Sequence, residues 1–232
     1  MKALTASFIL SVPSWVIPGT YAENLRFLEN KKEIEGVELL FFIYDDEIKT
    51  QLDHEWDEIL SFRERFIFTA HLPELLEPIH EELITRLVPY VRHFIVHPDI
   101  KSPAAQARLL TDWSSRHNAV FLTENTNPGS LETLLPYLDT SSGLCMDTGH
   151  LLLEGQNPAI FFETHGERIK EIHLHGLNPE QAAFDGRLKD HRSLGGNEAW
   201  LRQLLPLLRD YRGVVNLEMF SWEEIESSID KI

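Results

Sequence analysis

The stretch Gly143-Leu144-Cys145-Met146-Asp147-Thr148-Gly149-His150 sets the reading of the whole chain. A short apolar run stops at an aspartate, and a histidine follows three residues later. Continuous apolarity over so few residues suits a strand buried on both faces, the pattern of parallel sheets. Comparable runs, bounded by turn residues, fall at 4–9, 36–42, 66–72, 93–97, 119–124, 171–175 and 213–219, which with 143–147 makes eight strands. Between them lie segments with helical spacing, such as Leu75, Leu76, Ile79, Leu83, Leu87 and Val91, or Trp200, Leu201, Leu204, Leu205, Leu207 and Leu208. Sharing 232 residues among eight units leaves 29 for each, about one strand, one helix and two loops. The expected fold is therefore α/β, a (β/α)8 TIM barrel, as one domain over residues 1–232. Neither GxGxxG nor GxxxxGK[ST] occurs, which makes a nucleotide-binding doubly wound sheet the weaker choice.

Composition narrows the function. Hydrophobic residues make up 43% and charged residues 25%, the balance of a soluble globular domain. The formal charge of −16 would repel a polyanion and argues against nucleic acid as partner. Cys145 is the sole cysteine, which excludes an internal disulfide and a multi-thiolate zinc site and favours a reducing compartment. No apolar run approaches the roughly 20 residues needed to span a bilayer. The opening run, residues 1–10, is read as a buried first strand in preference to a signal peptide, since it has no convincing small-x-small cleavage site. A cytoplasmic protein with no membrane contact and no implied protein partner is expected.

In a β/α barrel the active site is built at the C-terminal ends of the strands. There the sequence puts His71, His97, Glu124, Asp147, His150, His173, His175, Asp190, His191 and Glu218: six of the eleven histidines and four carboxylates. The remaining five, His54, His80, His93, His117 and His165, fall in helices, loops or strand starts. So many ionisable groups in one mouth would repel and be costly to desolvate without counter-cations. Imidazole and carboxylate without thiolate suit zinc, manganese or iron(II).

These residues, in this order, resemble the xylose-isomerase-like barrels of the AP endonuclease family 2 type, best known through endonuclease IV. The pieces are His71-Leu72-Pro73, Glu124, Asp147-x-x-His150, His173-Leu174, His191 with Gly195, and Glu218. The resemblance implies two or three divalent cations. One would sit on His71, His97 and a bridging Glu124; a second on Glu124, Asp147, His173 and Glu218; a third on His150 and His191 with an aspartate. The family motif at that third site is Asp-x-His, whereas this chain has Lys189-Asp190-His191, with the carboxylate adjacent to the histidine. His175 and Arg192 are expected to contact substrate, and Asn125 to hydrogen-bond beside a ligand.

The expected chemistry is that of a metal-dependent phosphodiesterase with Glu124, His71 and Glu218 as catalytic residues. The alternatives are a sugar isomerase or epimerase using a single cation on Glu124, Asp147, His173 and Glu218, and a DNA repair nuclease of the endonuclease IV kind. The negative charge points to a small phosphodiester. A second resemblance, carried by Ser11-Val12-Pro13-Ser14-Trp15-Val16-Ile17-Pro18, Asn24-Leu25-Arg26-Phe27-Leu28 and Val37-Glu38-Leu39-Leu40-Phe41, is to the cobamide-remodelling phosphodiesterases. It implies the nucleotide loop of a corrinoid as substrate, with Trp15, Phe42 and Tyr44 as an aromatic wall for its apolar ring.

Overall fold

The computed structural model describes residues 7–140, 142–178 and 189–232. Eight strands close into an all-parallel barrel: β1 (Ile9–Pro13), β2 (Gly36–Leu40), β3 (Ile67–His71), β4 (Val91–Val96), β5 (Phe121–Glu124), β6 (Gly143–Asp147), β7 (Ile169–His173) and β10 (Val214–Asn216). Each pairs with its sequence neighbours, and β10 closes the ring between β7 and β1. After β7 comes an antiparallel pair, β8 (Gly176–Asn178) and β9 (Lys189–Arg192). The chain is thus the expected single-domain (β/α)8 barrel. No helix among the described residues is long and apolar enough to cross a membrane.

The helices between strands are α1 (Tyr21–Leu28), α2 (Asp46–Ser61), α3 (Glu81–Leu87), α4 (Pro103–His117), α5 (Ser130–Leu134), α6 (Thr148–Leu153), α7 (Pro158–His165), α8 (Ala199–Leu208) and α9 (Trp222–Ile229). Their ends follow local chemistry. Thr20 and Glu23 form a reciprocal capping box at α1, and Asp45 accepts two backbone N–H groups at the start of α2. Asn118, with φ of 56°, ends α4 in the left-handed region.

Several expected boundaries move. The first strand is Ile9–Pro13, not 4–9; residues 1–6 lie outside the described residues, and Ser11 and Pro13 interrupt the apolar signal where the strand runs. The seventh and last barrel strands are 169–173 and 214–216, where 171–175 and 213–219 were expected. Leu75 and Leu76 precede the third helical segment, and Val91 begins β4.

Both faces of the strands are buried, but they differ in kind. The apolar core lies outside the barrel wall, where Val37, Phe68, Phe94, Leu144, Met146 and Ile172 pack against Leu25, Leu83, Trp113 and Leu204 of the helices. Inward positions alternate with these and are largely polar: Ser11, Glu38, Thr69, His93, Glu171, His173 and Asn216, with Ile95, Leu122 and Cys145 as a small separate apolar cluster. His93, expected at a strand start, points into this interior and pairs with Glu171.

One side chain ties the α1–β2 connection to the segment before β3. The Arg65 guanidinium donates to the carbonyls of Glu29 (3.1 Å), Ile34 (2.8 Å) and Lys31 (2.7 Å). Arg65→Ala leaves three carbonyls to water and is expected to lower unfolding stability by about 2 kcal/mol. Urea titration should show a lower midpoint with an unchanged slope.

Candidate metal centre

The site is assembled from the last residue of each strand and the turn that follows. Asp147 ends β6 and caps α6: its Oδ1 accepts the His150 backbone N–H at 2.7 Å, so the turn that closes the strand also carries His150 to the mouth. Asn125, just after β5, clasps the Asp147 backbone, its amide donating to the carbonyl and its oxygen accepting the N–H, both at 2.9 Å. Gly149 leaves room for His175: a Cβ there would stand 2.0 Å from the ring. His175 in turn faces Asp147 Oδ2 through Nε2 at 3.0 Å and accepts the His191 backbone N–H on Nδ1 at 2.9 Å.

The ligand-type atoms at the mouth fall into four linked groups, each lying within 4.8 Å: His71, His97 and Glu124; Glu124, Asp147, His173 and Glu218; His175, His191 and Glu218; and His150, Asp190 and His191; beneath them Glu38, Glu171 and His173 form a fifth. Glu124 joins the first two groups. Its Oε2 faces His71 Nε2 (3.1 Å) and His97 Nε2 (3.3 Å), and its Oε1 faces His173 Nδ1 (3.6 Å). Glu218 joins the next two, with Oε2 at 3.1 Å from His173 Nδ1 and 3.6 Å from His191 Nδ1.

The structure also brings Asp190 and His191 together despite their adjacency. Consecutive residues of a regular strand point to opposite sides. His191 has φ of 52°, in the left-handed region, which breaks the alternation. Asp190 Oδ2 then lies 3.6 Å from His150 Nε2, and Oδ1 lies 3.9 Å from His191 Nε2.

Whether this set fits cations is decided by its orphaned atoms. His71 gives its Nδ1–H to the Leu72 carbonyl at 2.9 Å, so a neutral ring presents only a lone pair to the Glu124 carboxylate. Two acceptors 3.1 Å apart are stable only with a positive charge between them. Burial lowers the His71 pKa and disfavours a proton in that place. His173 Nδ1 and Glu218 Oε2, both buried, face each other without a hydrogen bond. The donor set therefore fits divalent cations.

The electrostatics agree. Burial alone would raise Glu124 and Glu218, but His173 and the neighbouring imidazoles hold both carboxyls well below the usual range. Burial alone would likewise lower His173, yet Cys145, Glu218, Glu38 and Glu124 around it raise it well above its ordinary value.

Beside the first group lies an apolar cavity of about 260 Å³ lined by Trp15, Tyr21, Leu40, Phe42, Ile43 and Ile48. The Phe42 ring meets His71 edge-on at 4.5 Å, and Trp15 is 57% exposed. Tyr44, expected on the same wall, packs instead against Phe41, His80 and Lys49. Arg192 reaches Glu224 of α9 at 2.9 Å. Two residues that the sequence did not mark as part of the site border it. Phe220, just past Glu218, stands 4.9 Å from His191, 6.5 Å from Phe42 and 6.4 Å from Trp15. Glu38 touches His173 from below at 3.0 Å. Phe220 sits in the same post-strand position as the other site residues and was findable; Glu38 lies inside an apolar strand that offers no such cue.

A barrel whose C-terminal mouth gathers imidazoles and carboxylates from at least five strands defines the class, and comparison with known proteins gives the family. The chain belongs to the xylose isomerase-like TIM barrel family, whose model matches residues 83–232. Inosose dehydratase from Lacticaseibacillus casei is 44% identical over 50 residues, 22% of this chain and 16% of that protein. Among solved structures, a sugar phosphate isomerase/epimerase from Parabacteroides distasonis superposes with a TM-score of 0.60 at 13% identity, covering 99% of this chain and 97% of the other. The probable 3-DHS dehydratase of petrobactin synthesis from Bacillus anthracis gives 0.65 at 13% identity, covering 96% and 97%. At such identities the structural likeness speaks for the fold.

A pH prediction follows from the shifts. Raised imidazoles such as His173 stabilise the metal-free fold fully below their ordinary value of 6.5, and this is lost as pH rises through the raised value. The depressed carboxyls contribute above their ordinary 4.5, and that contribution is lost only as pH falls through their lowered values. The chelator-treated chain should therefore lose thermal stability on going alkaline, and zinc or manganese should restore it. Melting temperatures across pH, with and without chelator, check this; curves that coincide would refute it.

Proposed function

We propose that this chain is a metal-dependent phosphodiesterase acting on a small phosphodiester. The observation that carries the reading is the pair of donor groups flanking the central one. A single-cation sugar isomerase accounts for Glu124, Asp147, His173 and Glu218. It leaves His71 with His97 on one side, and His150 with Asp190 and His191 on the other, without a task.

In this reading His71, His97, Glu124, Asp147, His150, His173, Asp190, His191 and Glu218 would hold two or three cations of zinc, manganese or iron. When bound, such cations polarise phosphoryl oxygens, favour ionisation of an attacking water and offset charge on the leaving oxygen. The protein's own groups do the rest. Glu124 and Glu218, kept ionised, act as acceptors and orient water by its hydrogens. His71, kept neutral by burial, holds its Nε2 lone pair toward the reacting space. The apolar cavity beside it would seat a bulky uncharged part of the substrate against Trp15 and Phe42; His175, expected to contact substrate, is instead fully buried between Asp147 and the His191 backbone, and Arg192 pairs with Glu224. The nucleotide loop of a corrinoid meets these demands, since it joins a phosphodiester to a broad apolar ring. A net charge of −16 disfavours DNA.

A second reading, sugar isomerase or epimerase, is favoured by a specific observation: the central four residues form a complete group by themselves. The names of the relatives, isomerase, epimerase and dehydratase, lean the same way. Family membership supports an enzyme under either reading.

Two variants separate them. His71→Ala should lose one equivalent of metal by elemental analysis and lower kcat on bis(p-nitrophenyl) phosphate and on a cobamide at least about 100-fold, with the barrel still folded by circular dichroism. Full activity would contradict the assignment, and activity toward ketoses or inososes alone would establish the second reading. Trp15→Ala should raise KM for the corrinoid several-fold more than it lowers kcat; unchanged parameters would remove Trp15 from the substrate wall.

A further inference from the structure

The histidines of the mouth differ in which ring nitrogen they keep for the site. His71 Nδ1 lies 2.9 Å from the Leu72 carbonyl, His150 Nδ1 lies 2.9 Å from the Asn125 carbonyl, and His191 Nδ1 lies 3.0 Å from the Glu218 carbonyl. A carbonyl only accepts, so in each case Nδ1 carries the hydrogen and Nε2 presents its lone pair. His173 is reversed. Its Nε2 is engaged, at 3.0 Å from Glu38 Oε2, and its Nδ1 faces Glu218 and Glu124.

The partner is reversed as well. These three rings are steered by backbone carbonyls; His175 meets the mouth carboxylate Asp147 through Nε2, and His173 on β7 is steered by a carboxylate from β2 that lies outside the mouth, 135 residues away in sequence. Glu38 and His173 are both fully buried. A glutamate in the middle of Gly36-Val37-Glu38-Leu39-Leu40, with no exposure to water, is expensive unless something needs it. Its Oε1 has no hydrogen-bond partner and His173 is the group its Oε2 meets, so solvation does not explain its presence. The second buried carboxylate of the interior, Glu171, is engaged elsewhere, by His93 and Thr69.

We propose that Glu38 is the positioning residue of the central cation site. By accepting the Nε2 hydrogen it fixes the tautomer of His173 whose Nδ1 lone pair enters the space shared by Glu124, Asp147 and Glu218. The inference rests on the cation-binding reading of the mouth and assigns the determinant of affinity to a residue outside the mouth.

Zinc binding to the metal-free chain, measured in competition with a chromogenic chelator, tests it. Glu38→Gln keeps an acceptor but adds an amide donor that can compete for the same place; it should weaken one equivalent about tenfold, and Glu38→Ala up to about 100-fold, leaving the other equivalents unchanged. Glu171→Gln replaces an equally buried carboxyl that lies within 4.8 Å of His173 but is hydrogen-bonded to His93 and Thr69, and it should shift that equivalent less than Glu38→Gln does. Unchanged affinity in both Glu38 variants, or an equal loss in Glu171→Gln, overturns the role of Glu38 while the cation site stands. A wild-type chain that takes up no zinc overturns the cation site itself. Nitrogen-15 NMR of the zinc-loaded wild type, which depends on no variant folding, should show His173 protonated at Nε2; a proton at Nδ1 overturns the proposal.

Discussion

Everything at the mouth depends on the Glu124 carboxylate, buried to 1% exposure at the end of β5 and ringed by imidazoles of three other strands. A carboxylate in that position cannot stay charged on solvation by water and must be charged by its neighbours. His173 supplies most of that field, while the neutral His71 directs a lone pair at the same carboxylate. The resulting geometry, with acceptor facing acceptor across about 3 Å, holds when positive charge occupies the gap. A cation-binding centre and a stable strand end are here the same requirement.

That requirement shapes the barrel interior. An ordinary β/α barrel of this size fills its centre with branched apolar side chains. Here Ile95, Leu122 and Cys145 form a small apolar cluster inside the wall, and many of the other inward positions carry hydroxyl, amide, carboxylate or imidazole groups. The apolar stabilisation has to come from the outer layer between strands and helices. His93 with Glu171, and His173 with Glu38, satisfy charges that would otherwise be stranded beneath the site. The interior thus supports the mouth in orientation and in charge.

Small backbone devices complete the arrangement. Gly149 makes room for His175, Asp147 caps the helix that carries His150, and the left-handed His191 lets two adjacent residues serve one group. Strain of this kind persists where surrounding contacts over-determine it. At His191 those contacts are the hydrogen bonds to His175 and to the Glu218 carbonyl.

Much of this was legible in the chain itself. Eight short apolar runs spaced by helical segments determined a β/α barrel, because strand and helix periods are local properties of side-chain placement. The histidines and carboxylates at the ends of those runs marked the mouth, since strand ends in this fold share one face. The details that remained belong to closure of the barrel. Which residues from distant strands meet across the interior depends on register and stagger around the ring, and these set Glu38 against His173 and Glu171 against His93. Strand ends in regions with Ser or Pro, as in β1, were misplaced because hydrophobicity reports burial against apolar neighbours and this interior is polar. Sequence alone determined the fold and pointed to the histidines and carboxylates at the strand ends. Tertiary structure decided which of them face one another, which ring nitrogen each histidine offers and that Asp190 joins His191, because those depend on through-space distances and on one backbone dihedral that no pattern of residue types encodes.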